Sequence, residues 1–207
     1  MSMKSTTDLH WADFISIRPG TLTEKECKEI IDFFNAKDQW EDSRIYDIDG
    51  NRKLEENTRK GKICWDKEHQ CPHLWKLKNQ IIDFNKNHQM NLSGAMDVQA
   101  AMYPVGAHFK RHQDTHVDLD HYKSPNMRSH RTRKISATIQ LSNSADYEGG
   151  ELHMTTDYNS EGSTSIQAPK DIGTMVLFPS WLKHQVNPIT KGLRYALVLW
   201  AEGPWWK

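Results

Sequence analysis

Residues 135–141 (ISATIQL) constrain the fold more than any other stretch of this chain. Ile135, Ala137, Ile139 and Leu141 fall on one side of an extended backbone, and Ser136, Thr138 and Gln140 on the other, the period-2 pattern of a strand with two unlike faces. Further short β-type runs stand around it: residues 96–105 (MDVQAAMYPV), broken at Gly106; residues 174–178 (TMVLF), ended by Pro179; and residues 195–200 (YALVLW). Gly-Gly at 149–150, Asn-Pro at 187–188 and Lys-Gly at 191–192 punctuate them. Several short strands separated by turns predict a β-sandwich or barrel.

The first half reads differently. Residues 23–26 (TEKE) have the form of a capping box, in which a Thr hydroxyl and a Glu carboxylate satisfy free backbone N–H groups reciprocally. Cys27, Ile30, Ile31, Phe33 and Phe34 follow at helical spacing, which predicts a helix ending near Asn35. Residues 36–63 are polar and are read as strands and loops. A second amphipathic helix fits 73–88, with Leu74, Leu77, Ile81 and Phe84 along one face. The expected class is therefore α+β, with an antiparallel double sheet at the centre and helices packed on it from the N-terminal side.

With 207 residues the chain suits one domain with a substantial core. Its 27 Lys and Arg balance 27 Asp and Glu, so no global field points to nucleic acid or a membrane. Mean hydropathy is −0.78, and no run approaches the roughly 18 apolar residues of a membrane span. The first residues lack the apolar core of a secretory signal. Cys27, Cys64 and Cys71 match no zinc or redox spacing and are read as reduced, partly buried side chains. A cytoplasmic location with no membrane partner is the resulting expectation.

Chemistry concentrates at His112-Gln113-Asp114. Residues i and i+2 of an extended strand point to one face, so the imidazole and the carboxylate can converge on one ion. An H-x-D pair alone specifies little, and a third ligand must come from elsewhere; His184, after the strand-like TMVLFP, is the best candidate. Two His and one carboxylate on one face of a metal leave positions open for a cosubstrate and O2, the arrangement suited to non-haem Fe(II). His108 and His112 also have the i, i+4 spacing of a helical zinc pair, and His116 continues the same strand face. Pro104 and Gly106 argue against a helix there. Ten residues past His184, Arg194 offers a planar, permanently charged clamp for the free carboxylate of a chelating dicarboxylate.

Five ordered motifs carry a resemblance: Tyr103-x-x-Gly106-x-x-Phe109-x-x-His112-x-Asp114, RKISATIQLS, DYEGGEL (146–152), GTMVLFPSWLKH (173–184) and VNPITKGLRYALVLW (186–200). Together they resemble the prolyl 4-hydroxylase-like branch of the 2-oxoglutarate/Fe(II)-dependent dioxygenases, and within it the PKHD-type hydroxylases. The resemblance implies a double-stranded β-helix (jelly-roll, cupin-like) with iron at one mouth. Its core would be residues 95–203, supported by helices and loops from residues 1–95, within one domain spanning 1–207. It implies Fe(II) on His112, Asp114 and His184, and 2-oxoglutarate with its distal carboxylate on Arg194. Tyr103, Ser136 and Gln140 would lie against the cosubstrate, and Trp200 would wall the pocket. Gln140 departs from a frequent tyrosine, as does Phe109.

The implied activity is hydroxylation of a C–H bond, in a peptidyl residue such as proline, with release of succinate and CO2. Ascorbate is implied as the reductant that rescues oxidised iron. The alternatives are a non-catalytic jelly-roll module that keeps a metal or ligand, and an oxygenase acting on a nucleic acid or small molecule. Residues 195–206 (YALVLWAEGPWW) lack the second arginine of the alkylated-base repair branch, which disfavours nucleic acid. Residues 122–134 (YKSPNMRSHRTRK) hold five Lys and Arg and no acid, and are read either as a solvated loop or as a lid that steers an acidic substrate. Trp205 and Trp206 could stack on bases or prolines.

Overall fold

The computed structural model describes residues 11–46, 52–115, 131–155 and 165–204. In chain order these form strand β1 (Ser16–Arg18), helix α1 (Glu24–Lys37), and the short strands β2 (Glu41–Asp42), β3 (Ile45–Tyr46), β4 (Arg52–Lys53), β5 (Arg59–Lys60) and β6 (Lys62–Trp65). Helix α2 (Leu74–His88), β7 (Met96–Tyr103), β8 (His108–His112) and β9 (Arg131–Gln140) follow. The chain continues through β10 (Tyr147–Gly149), β11 (Leu152–Thr155), β12 (Ser165–Gln167), β13 (Met175–Pro179), β14 (Lys183–Val186), β15 (Ile189–Gly192) and β16 (Arg194–Pro204).

Seven strands make one sheet in the order β1-β13-β9-β16-β7-β6-β2, and five make a second in the order β12-β11-β14-β8-β5. The pairs β10–β15 and β3–β4 stand as small ribbons. Every ladder in the two large sheets is antiparallel. The architecture is a double-stranded β-helix with two helices on one side.

Two apolar clusters explain why the sheets form this way. One joins Cys27, Ile30 and Phe34 of α1 and Leu74, Leu77, Ile81 and Phe84 of α2 to the outward side chains of the larger sheet, among them Ile135, Ala137, Ile139, Leu177, Leu197 and Leu199. The other lies between the sheets and includes Ala101, Leu152, Met154, Val176, Phe178, Val186 and Ile189. Residues 135–141 thus turn their apolar side to the helices and their polar side to the interior between the sheets. That inversion makes room for polar chemistry inside the barrel.

Helix α1 begins at the capping box read from the sequence: Thr23 Oγ1 accepts from the Glu26 N–H at 3.2 Å, and the Thr23 N–H donates to Glu26 Oε2 at 2.7 Å. It ends at Asp38, left-handed at φ 48°, whose N–H bonds to the Asn35 carbonyl, so the helix runs past the expected end at Asn35. The polar stretch before residue 63 contributes strands to both sheets: β2 and β6 extend the larger one, and β5 edges the smaller one beside β8. Residues 122–130 of the basic segment, His116, Trp205 and Trp206 lie outside the described residues, while 131–134 open strand β9. Cys27, Cys64 and Cys71 are free and buried.

Candidate metal and cosubstrate site

Strands β8 and β14 pair so that His112 stands opposite His184. A tight turn brings the chain there from β13: the Leu182 N–H bonds back to the Pro179 carbonyl at 2.9 Å. Strand β8 stops at His112, and Asp114 lies just beyond it. Its placement does not come from strand alternation. The N–H groups of Asp114 and Thr115 both donate to the Ser180 carbonyl, at 2.9 and 3.1 Å, which ties the segment to the β13–β14 turn and swings the carboxylate toward the imidazoles.

The donor atoms of His112, Asp114 and His184 all lie within 4.8 Å of one another. Asp114 Oδ1 is 3.6 Å from His112 Nε2, and Oδ2 is 3.5 Å from His184 Nε2. Each Nδ1 faces a backbone carbonyl: that of Lys110 at 2.8 Å for His112, and that of Leu182 at 2.9 Å for His184. An Nδ1–H donating to a carbonyl leaves the Nε2 lone pair pointing into the triad, the tautomer a metal requires. Burial, the neighbouring His112 and, in opposition, the Asp114 charge leave His184 at about 4, so this ligand is neutral at pH 7. Burial pulls the Asp114 carboxyl upward, but His184, His112 and Arg133 together hold it well below the usual carboxylate range. One carboxylate and two imidazoles on one face could hold a divalent cation with room for other ligands.

Behind Asp114 stands Ser136, fully buried, whose hydroxyl donates to Asp114 Oδ2 at 2.7 Å and lies 2.9 Å from the Ser180 hydroxyl. The triad opens into a cleft also lined by Tyr103, Phe109, Thr138, Arg194, Val198 and Trp200. Arg194 is 1% exposed. Its Nη2 donates to Gln140 Oε1 at 2.8 Å, while Nε and Nη1 meet no acceptor among the described residues. The Tyr103 ring, its register partner, lies 5.2 Å from the guanidinium carbon. A buried guanidinium with open N–H groups is costly unless an anion completes it. Trp200 carries the guanidinium of Arg133 at 3.7 Å from its ring centre.

Ser136 and Gln140, expected against the cosubstrate, have hydrogen-bond partners in the protein: Ser136 bonds to Asp114 and Ser180, and Gln140 to Arg194 and, through Nε2, to the Pro169 carbonyl at 3.2 Å. Three polar lining residues, Thr138, Gln99 and Arg59, carry no role predicted from the sequence. Thr138 shares the polar side of β9 with Ser136 and Gln140, so the alternation already pointed to it. Gln99 and Arg59 line the same cleft, with Arg59 Nη2 donating to Gln99 Oε1 at 3.0 Å. Arg59 also lies over the Phe109 ring at 4.4 Å, and Phe109 stacks on His112 at 3.4 Å. No local pattern marked Arg59, because only the β5–β8 ladder brings it there.

Residues 98–202 match the sequence profile of the 2OG-Fe(II) oxygenase superfamily. A PKHD-type hydroxylase of Psychrobacter is 29% identical over 166 residues, which cover 79% of this chain but 59% of that relative's length. The crystal structure of a Pseudomonas putida prolyl-4-hydroxylase superposes with a TM-score of 0.66 at 20% identity, over 93% of this chain and 94% of that one. A Trichoplax adhaerens prolyl hydroxylase, solved in complex with a hypoxia inducible factor oxygen degradation domain peptide, gives 0.62 at 21% identity, over 91% and 83%. At these identities the two structures speak for the fold alone.

Proposed function

The chain belongs to the 2OG-Fe(II) oxygenase superfamily, and from that premise we propose that it hydroxylates an unactivated C–H bond of a peptidyl residue, proline foremost. The reaction takes one O2 and one 2-oxoglutarate, placing one oxygen atom in the product alcohol and the other in succinate as CO2 leaves. The observation that carries this reading is Arg194, a buried guanidinium with two nitrogens, Nε and Nη1, open in the same cleft as the three candidate metal donors. Such a group calls for a carboxylate, and the triad calls for a cation that the other end of the same molecule can chelate.

His112, Asp114 and His184 would hold Fe(II). The bound iron, with 2-oxoglutarate, supplies the O2 activation that side chains cannot. Everything else falls to the chain. Ser136 fixes the Asp114 carboxylate, the two backbone carbonyls fix the imidazoles, and Gln140 orients Arg194 toward the cosubstrate. Phe178, Val186, Ala196 and Val198 give the cleft apolar walls that limit water. Tyr103 and Trp200 are assigned to the cosubstrate and to the pocket wall. Ascorbate as a reductant is part of the same proposal. A peptide substrate is favoured by the Trichoplax neighbour, which was solved with one.

Anaerobic addition of Fe(II) and then 2-oxoglutarate should produce a weak visible charge-transfer band, and aerobic turnover should release succinate. Asp114→Ala should abolish both. Arg194→Ala should keep the metal but raise the 2-oxoglutarate requirement at least about a hundredfold, the loss of a charge-assisted bidentate pair. Normal turnover by Asp114→Ala would end the proposal. A peptide panel read by mass for the gain of one oxygen atom identifies the substrate.

A further inference from the structure

A carboxylate offers about four lone-pair positions, and a guanidinium that meets it edge-on fills two of them. Arg194 has Nε and Nη1 open for this, with one N–H of Nη2 on Gln140. Gln140 gives its oxygen to Arg194 and one N–H of its Nε2 to the Pro169 carbonyl at 3.2 Å. A bound carboxylate therefore keeps positions open to a donor from another element.

Tyr147 supplies it. Its side chain is 3% exposed, and its hydroxyl has no partner among the described residues. Strand β10 pairs Tyr147 with Gly192, two residues before Arg194. Both side chains lie against Gly150: a Cβ placed there would stand 3.1 Å from Arg194 Cδ and 3.4 Å from Tyr147 Cε2. Gly150 is left-handed at φ 65°, and the same Cβ would collide with Ile189 Cδ1 at 2.3 Å, so the second glycine of the Gly-Gly pair clears the space the two side chains share. Lys170 covers the Tyr147 ring at 4.3 Å, with its ammonium bonded to the Gly149 carbonyl at 2.8 Å.

We propose that Tyr147 is a cosubstrate-binding residue, its phenol donating a hydrogen bond to the distal carboxylate of the 2-oxo dicarboxylate that Arg194 grips. This rests on the 2-oxoglutarate reading above and adds a second point of recognition to it. Burial pushes the Tyr147 phenol up from its ordinary pKa against the opposing pull of the neighbouring Arg194 guanidinium, so the group stays protonated and able to donate.

The test uses the Fe(II)-loaded protein under anaerobic conditions, titrated with 2-oxoglutarate and with 2-oxopentanoate, which keeps the chelating end and lacks the distal carboxylate. Tyr147→Phe deletes one oxygen and keeps the packed ring, and its thermal midpoint serves as the folding control. The expected result is a Kd for 2-oxoglutarate raised about ten- to a hundredfold, the loss of one hydrogen bond to a charged group. The Kd for 2-oxopentanoate and the affinity for Co(II) should stay as in the wild type. An unchanged 2-oxoglutarate Kd, or equal weakening of both ligands, overturns the role of Tyr147. Failure of the wild-type protein to prefer 2-oxoglutarate over 2-oxopentanoate would instead overturn the reading beneath it, and the two failures appear in different proteins.

Discussion

Ser136 holds one member of the candidate metal triad, Asp114, through a single hydrogen bond. Its fully buried hydroxyl reaches Asp114 Oδ2 at 2.7 Å, so it restrains the carboxylate whose two oxygens face the two imidazoles. Ser136→Ala should weaken Co(II) binding about ten- to a hundredfold, the usual cost of removing such a supporting bond, while the variant stays folded; calorimetric titration measures it, and unaltered affinity would remove Ser136 from the metal's support. The residue types of the triad and of Arg194 were legible from sequence because each answers a chemical need: a neutral imidazole, an anion, a fixed cation. The bond from Ser136 to Asp114 was not legible, because a strand pattern reports which side a residue faces and not which neighbour its hydroxyl will meet. Tyr147 stood inside a quoted motif with no role, since its meaning depends on Arg194 arriving beside it.

At the scale of elements, local chemistry and long-range pairing divide the work. The capping box of α1 is complete in four consecutive residues, and it is present as read. The backbone N–H of Thr23, then Lys76, hold the Glu26 carboxyl at about 2 against 4.5 in the unfolded chain. A lowered folded pKa means the stabilisation is complete above about 4.5 and is lost as pH falls toward 2. Glu26→Gln should therefore cost roughly 0.5–1 kcal/mol at pH 7, with the gap to wild type narrowing at pH 3 and closed by pH 2, as urea unfolding at each pH measures. The α2 stripe of Leu74, Leu77, Ile81 and Phe84 is likewise buried, because helical periodicity is a local property. The H-x-D pair is a contrasting case. Strand alternation suggested a common face for His112 and Asp114, yet β8 ends at His112 and two hydrogen bonds to the Ser180 carbonyl place the carboxylate. The polar stretch at 36–63 gave no clear periodicity because its strands, of two to four residues, are too short to show one.

Over the whole molecule, the triad links stability to pH. His184 is held near 4 in the folded protein against 6.5 unfolded, and a lowered imidazole pKa means protons favour the unfolded chain. The metal-free protein should keep full stability above about pH 6.5 and lose it progressively as pH falls toward 4, with Asp114 adding a further loss at lower pH. Thermal melts in chelator at stepped pH should show this slope, and His184→Gln should flatten it between 6.5 and 4; a variant with the wild-type slope would place its origin elsewhere. The same fold shows where sequence reading stops. The alternation at 135–141, the two helical stripes, the capping box and the spacing of His, Asp and Arg are properties of neighbours along the chain, and from them the sequence by itself determined the α+β double sheet and the kinds of group that could hold a metal and a dicarboxylate. Only the tertiary structure decided that His184 faces His112, that Arg59 reaches the cleft, and that Tyr147 and Arg194 share the space beside Gly150. Those meetings depend on which strands pair and in what register, and burial of two apolar clusters selects that pairing through contacts spread over the whole chain, so no short stretch of sequence carries it.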